Sequence, residues 1–177
     1  MQNHIPDQET TCKYRYSIML LQGAKRIKSK FLLFRVFSRI YQAMPSNSFR
    51  RECKDTADFT TGLKECEQLS FQNRLPLFVL FTGTKSVANG NSSWCPDCVR
   101  AEPIINAALD SIDGYVLYEC DVDRDPYRSK DYIYRTDPTV KLTCVPTLMK
   151  WSNNKCIARL NDNQCQKADL VKELIES

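Results

Sequence analysis

The chain has 177 residues, 42% hydrophobic and 26% charged, which suits one globular domain plus a substantial extra segment and is too short for two domains of ordinary size. Its one histidine, His4, stands near the N-terminus, which argues against a Ser-His-Asp triad, a Cys-His dyad or a His-rich metal site. The nine cysteines are odd in number and irregularly spaced, so they do not read as a secreted disulfide framework and favour a reducing compartment.

The net charge of +4 is unevenly spread. Residues 1–43 hold eight Lys/Arg and two acidic residues, a net of +6, while residues 44–177 hold 17 basic and 19 acidic residues, a net of −2. Within the first segment, Lys25-Arg26-Ile27-Lys28-Ser29-Lys30 leads into the apolar-rich run Phe31 to Ala43. Ile27, Phe31, Phe34 and Tyr41 recur at spacings compatible with one face of a helix. No stretch approaches the roughly 20 apolar residues a bilayer span requires. Three readings stand for residues 1–43: a weakly ordered extension, with the compositional change at Met44 marking the domain start; a mitochondrial-type presequence; or an amphipathic helix making weak membrane-surface or partner contact through residues 25–43. The basic block alone does not lead us to expect nucleic-acid binding.

From residue 44 onward the pattern predicts one α/β domain. Asp55-Thr56-Ala57-Asp58 offers helix N-cap chemistry, and Phe59, Leu63, Cys66 and Leu69 then share a helical face. The continuous apolar run Pro76 to Phe81, ended by Gly83, predicts a strand buried on both faces. A polar loop spans Thr84 to Ser93. A second helical stripe runs from Val99 to Ile112, Tyr115 to Cys120 predicts another strand, and Asp121 to Lys130 a connection with a helical turn before Thr136. Val145 to Trp151 and Cys156 to Leu160, separated by Ser152-Asn153-Asn154, predict a hairpin. Ala168 to Ile175 closes the chain as a helix. The order predicts a central mixed β-sheet flanked by helices.

The sharpest feature is Trp94-Cys95-Pro96-Asp97-Cys98, which follows a strand and loop and opens a helix. Spacing alone is weak, since nine cysteines in this length produce roughly 0.45 CxxC pairs by chance. The setting carries more. A cysteine at a helix N-terminus has its thiolate favoured by free backbone amides and the positive end of the helix dipole, and Cys95 fits that position. Cys98, one turn on, can attack a mixed disulfide formed at Cys95. Pro96 suits the first helical turn, and an acidic Asp97 opposes the thiolate. A zinc site needs two further ligands, and Cys66, Cys120, Cys144, Cys156 and Cys165 provide no second close pair, so no metal is expected.

With Pro103 after the motif and Val145-Pro146-Thr147 at the late hairpin, the chain resembles thioredoxins. Phe81-Thr82-Gly83, the long loop, WCPDC, Ala101-Glu102-Pro103 and Val145-Pro146-Thr147-Leu148 further resemble the thioredoxin domain-containing protein 17 family, over about residues 50–177. The resemblance implies a thioredoxin-like fold and a protein-disulfide reductase with some peroxidase activity. It makes Cys95 the nucleophile and Cys98 the resolving thiol, with Pro96 and Asp97 setting the potential. Trp94, Val145 and Pro146 would form the substrate rim, Pro146 as a cis-proline, and Cys144 would lie near it as a modulatory or an inert thiol. No cofactor is implied as bound; electrons would come from NADPH through thioredoxin reductase, and the partners would be that reductase and disulfide-containing proteins or small molecules. A cytosolic location follows from the family, a mitochondrial one if residues 1–43 are a presequence. The alternative function is a non-catalytic binding or scaffold module. The resemblance departs at Leu80, where typical thioredoxins carry a buried aspartate; proton transfer to and from Cys98 then falls to Asp97 or water.

Overall fold

The computed structural model describes residues 47–53 and 55–177; the readings of residues 1–43, and Cys12, lie outside them. In chain order the elements are β1 (Phe49–Cys53), α1 (Phe59–Asn73), β2 (Leu77–Gly83), β3 (Lys85–Ser86), β4 (Ser92–Ser93), α2 (Pro96–Leu109), β5 (Val116–Val122), α3 (Arg124–Tyr127), α4 (Ile133–Thr136), β6 (Thr147–Ser152), β7 (Lys155–Asn161) and α5 (Ala168–Glu176), with a 3-10 turn at Asp162–Gln166 before α5. The main sheet has the order β1-β5-β2-β6-β7, with β1, β5 and β2 parallel and β6 and β7 antiparallel. It is the mixed sheet flanked by helices that the sequence predicts. No helix among the described residues is long and apolar enough to cross a membrane.

The apolar run of β2 is explained by its place between β5 and β6, where every residue is buried. Side chains alternate across a strand. Leu77, Val79 and Phe81 therefore join the core that includes Phe59, Leu63 and Cys66 of α1, while Phe78 and Leu80 join Ala101, Ile105 and Leu109 of α2 and Val171 and Leu174 of α5. Each fully buried aliphatic or aromatic side chain contributes ~1.5–3 kcal/mol by leaving water. α1 lies close on the sheet because Gly62 has no side chain: a Cβ there would come within 2.2 Å of the Tyr118 hydroxyl.

One expectation is corrected, and one strand was not predicted. Asp58 precedes α1, yet its carboxylate makes no cap hydrogen bond. It instead accepts from Arg51 Nη2 at 2.9 and 3.0 Å; with φ −78° and ψ −15° its backbone is already helical, not the extended conformation from which an N-cap side chain reaches back to the first turn. The Phe49–Cys53 strand is not marked as an element by apolar periodicity, since its sequence FRREC is mostly charged. It pairs with β5 along one edge, and Arg50 reaches over the Tyr115 ring and donates to its hydroxyl at 3.0 Å. The predicted hairpin is present, turned by Asn153 and Asn154 at φ 52° and 59°, the left-handed pair that suits a two-residue turn.

Candidate active site

β2 ends at Gly83, where the chain enters the polar loop. The loop forms its own two-stranded ribbon, β3 against β4, tipped by Gly90 and Asn91 at φ 63° and 61°. The ribbon returns Trp94 to the end of the sheet. There its indole Nε1 donates to Val122 O at 2.7 Å, its backbone N–H donates to Thr84 O at 3.3 Å, and its ring lies 5.7 Å from that of Tyr127. Gly83 makes this return possible: a Cβ would stand 2.6 Å from Ser93 Oγ and 3.0 Å from the Trp94 ring.

Cys95 is the residue before α2, and Pro96 occupies the first turn, as the spacing predicts. The Cys95 backbone N–H is taken by Ser93 Oγ at 3.1 Å. Its thiol is 6% exposed and donates to Val145 O at 3.5 Å, and the Val145–Pro146 peptide is cis. Residues 50 positions apart in sequence are thus brought onto one sulfur. Cys98 lies deeper, at 2% exposure, and its sulfur accepts from the Gly83 N–H at 3.3 Å. Burial pushes the Cys98 thiol up to about 12, against smaller opposing contributions from the Gly83 N–H and the Thr82 hydroxyl. The two thiols therefore have distinct surroundings: both are buried, but Cys95 meets the Val145 carbonyl beside the cis-proline, whereas Cys98 lies deeper against the Gly83 N–H and is held as the protonated form.

Asp97 does not act on the sulfurs as a free charge. Its carboxylate pairs with Arg100 and accepts from Gln166 Nε2 at 2.9 Å, while Arg100 Nε donates to Gln166 Oε1 at 2.9 Å. The guanidinium offsets the opposition to a thiolate that an isolated aspartate would exert. Leu80 is buried in the α2-side core, as the departure from thioredoxins implied, and its register partner on β5 is Glu119. Burial raises the Glu119 carboxyl above its ordinary value, and this side chain lines a cavity of about 420 Å³ with Arg50, Lys85, Glu102 and Asn106. A carboxylate is thus present one strand away from the position where the sequence lacks it. Cys144 is half-buried and is held among the Thr143 and Thr147 hydroxyls at 3.7 and 3.9 Å.

Sequence reasoning missed Arg135 altogether. From α4 its guanidinium lies 4.4 Å over the Tyr127 ring and donates to Tyr127 O at 3.2 Å, to Leu142 O at 3.4 Å and to Thr143 O at 3.1 Å. It ties the segment entering Val145–Pro146 to the aromatic platform under Trp94. No local pattern marks an arginine whose hydrogen bonds all go to backbone carbonyls. Among the described residues no cluster of three or more His, Cys, Asp or Glu is arranged to hold a metal ion.

Several proteins are similar to this chain in sequence. The chain is 39% identical over 103 residues to thioredoxin domain-containing protein 17 of Homo sapiens, covering 58% of this chain and 79% of that protein. It is 38% identical over 108 residues to thioredoxin domain-containing protein 17 of Danio rerio, covering 60% and 83%. It is 37% identical over 100 residues to thioredoxin-like protein Clot of Arabidopsis thaliana, covering 55% and 74%. Residues 52–177 match the family described as thioredoxin domain-containing protein 17-like, thioredoxin domain. A dithiol at a helix start facing a cis-proline, carried on this sheet and this sequence, makes the chain a thioredoxin-fold redox protein that belongs to the thioredoxin domain-containing protein 17-like family.

Proposed function

We propose that the protein is a thiol–disulfide oxidoreductase that acts mainly as a reductase. The observation that carries this reading is the asymmetry of the dithiol: Cys95 reaches the Val145 carbonyl beside the cis-proline, and Cys98 lies deeper against the Gly83 N–H. A substrate strand lying beside Val145 presents its disulfide to Cys95. The Cys95 thiolate attacks one substrate sulfur, the substrate S–S bond breaks, and the other sulfur leaves as a thiolate. Cys98 then loses its proton and attacks Cys95, breaking the mixed disulfide; the substrate leaves reduced, and two electrons have passed from the dithiol to it. With Asp97 paired to Arg100, water is the acceptor we assign to the Cys98 proton. Thioredoxin reductase with NADPH would restore the dithiol, in the cytosol, and peroxide reduction would be a slower second activity.

The test is reduction of insulin or cystine under a fixed electron supply. Cys95→Ser should abolish turnover, and Cys98→Ser should accumulate Cys95 mixed disulfides. Equal residual turnover in both variants would overturn the reading.

A further inference from the structure

Outside the active site the α1-side core holds three more buried thiols, Cys53, Cys66 and Cys120. Two of them are paired by topology. Cys53 ends β1 and is in register with Cys120 on β5, so both side chains leave the sheet on the same face. Neighbouring strands lie about 4.8 Å apart, inside the Cα range of about 4.4–6.8 Å that a disulfide spans. The Cβ atoms must close to about 3.8 Å. β1 can supply that movement, since it is at the edge of the sheet and pairs only with β5 among the described residues.

The surroundings treat the two sulfurs differently. Cys53 Sγ lies 3.6 Å from the Tyr134 hydroxyl and 3.2 Å from Asp55 O. The Cys120 thiol, outweighing the cost of burial and aided by the Tyr118 and Tyr134 hydroxyls, lowers Cys53 to about 6. Cys120 is instead pushed well up, chiefly by burial. One sulfur is suited to attack and its neighbour to resolve. Cys66, on α1, is raised to about 11 by burial and has no strand register with either.

We infer that Cys53 and Cys120 form a second dithiol–disulfide site, oxidised by hydrogen peroxide independently of Cys95 and Cys98. Burial selects the oxidant. Both residues are fully buried, so a small uncharged molecule can enter through local opening of the edge strand, whereas a large charged disulfide cannot. The Cys53 thiolate attacks one peroxide oxygen, the O–O bond breaks, and Cys53 becomes a sulfenic acid as hydroxide leaves and takes up the thiol proton as water. The Cys120 sulfur then attacks Cys53, the S–O bond breaks, and a second water leaves with the Cys120 proton. Two electrons pass from the two sulfurs to peroxide, and β1 becomes covalently joined to β5.

The experiment uses the full chain and its Cys95→Ser/Cys98→Ser variant, each exposed to hydrogen peroxide or to glutathione disulfide. Remaining thiols are alkylated under denaturing conditions and the peptides mapped by mass. With peroxide, a peptide pair linked through Cys53 and Cys120 should accumulate in both proteins, at rates within about threefold of one another. With glutathione disulfide, Cys95 and Cys98 should oxidise in the unsubstituted chain while Cys53 and Cys120 stay alkylated. Cys120→Ser should leave Cys53 trappable by dimedone as a sulfenic acid; if that variant does not fold, the map of the unsubstituted chain decides. The inference is overturned if Cys53 and Cys120 remain free after peroxide has closed Cys95–Cys98, if Cys53 links to Cys66 instead, if the double variant loses the link, or if glutathione disulfide forms it as fast as peroxide.

Discussion

A missing side chain has as much influence on the site as the thiols do. Gly83 allows Ser93 and Trp94 to fold back over the end of β2, and its N–H is a hydrogen bond donor to Cys98. Gly83→Ala places a methyl group against Ser93 Oγ and the indole, an overpacking that costs ~1–3 kcal/mol. We expect a lower urea midpoint together with slower disulfide reduction, because the same displacement moves the loop that carries Cys95. A variant with unchanged stability and activity would mean that the loop relaxes freely. Of the site residues, the WCPDC thiols were legible from their identity and their setting at a helix start, and Val145-Pro146 only through the resemblance to thioredoxins, since a Val-Pro pair alone marks no more than a turn. Arg135 was not legible, because it acquires its role from backbone carbonyls and the Tyr127 ring on neighbouring segments.

Among elements, the short helices α3 and α4 matter more than their four residues each suggest. They form a platform on which Tyr127 meets Trp94 and Arg135 holds the chain entering Val145–Pro146. Removing a guanidinium that serves several carbonyls frees that segment without touching either thiol. Arg135→Ala should therefore lower kcat/KM for a protein disulfide about tenfold, equivalent to ~1.4 kcal/mol, mainly through KM. Alkylation of Cys95 by a small reagent should be nearly unchanged, and Arg135→Lys should restore only part of the loss, since an ammonium lacks the planar fork. Equal loss toward the protein substrate and the small reagent would point instead to damage at Cys95. The principal helices were readable from apolar periodicity and the central strand from its continuous apolar run, whereas β1 was not, since a charged edge strand is specified by its partner β5 rather than by its own pattern.

For the whole molecule, buried thiols set the onset of the response to alkali, joined above about pH 10 by Tyr118, Tyr132 and Tyr134, which burial also raises. Cys98 is raised to about 12 and Cys66 and Cys165 to about 11, each chiefly by burial, and Cys120 is raised as well. The ordinary thiol value is about 8.5. A thiol raised on folding contributes stability that is complete below its unfolded value and is lost as pH rises toward its folded value, because the unfolded chain releases the proton first. Cys53 is lowered to about 6 and works in the opposite sense, losing its contribution as pH falls. That loss falls between about 8.5 and 6, so above pH 8.5 the four raised thiols act unopposed by Cys53 and the urea midpoint should fall between pH 8.5 and 11. Cys66→Ala should flatten that fall while lowering the midpoint at neutral pH. A midpoint constant across the window would remove these thiols as the cause.

The edges of the sheet bear on how the chain behaves at high concentration. Exposed strand edges invite pairing with other chains, and charged side chains discourage it. β1 displays Arg50 and Glu52, and β7 displays Lys155 and Arg159 beside the exposed Ile157. The mostly apolar strand β2 is kept between β5 and β6. Among the described residues the charges that discourage edge-to-edge pairing thus lie on the two outer strands, and Ile157 is the place on β7 where a further charge would add to them.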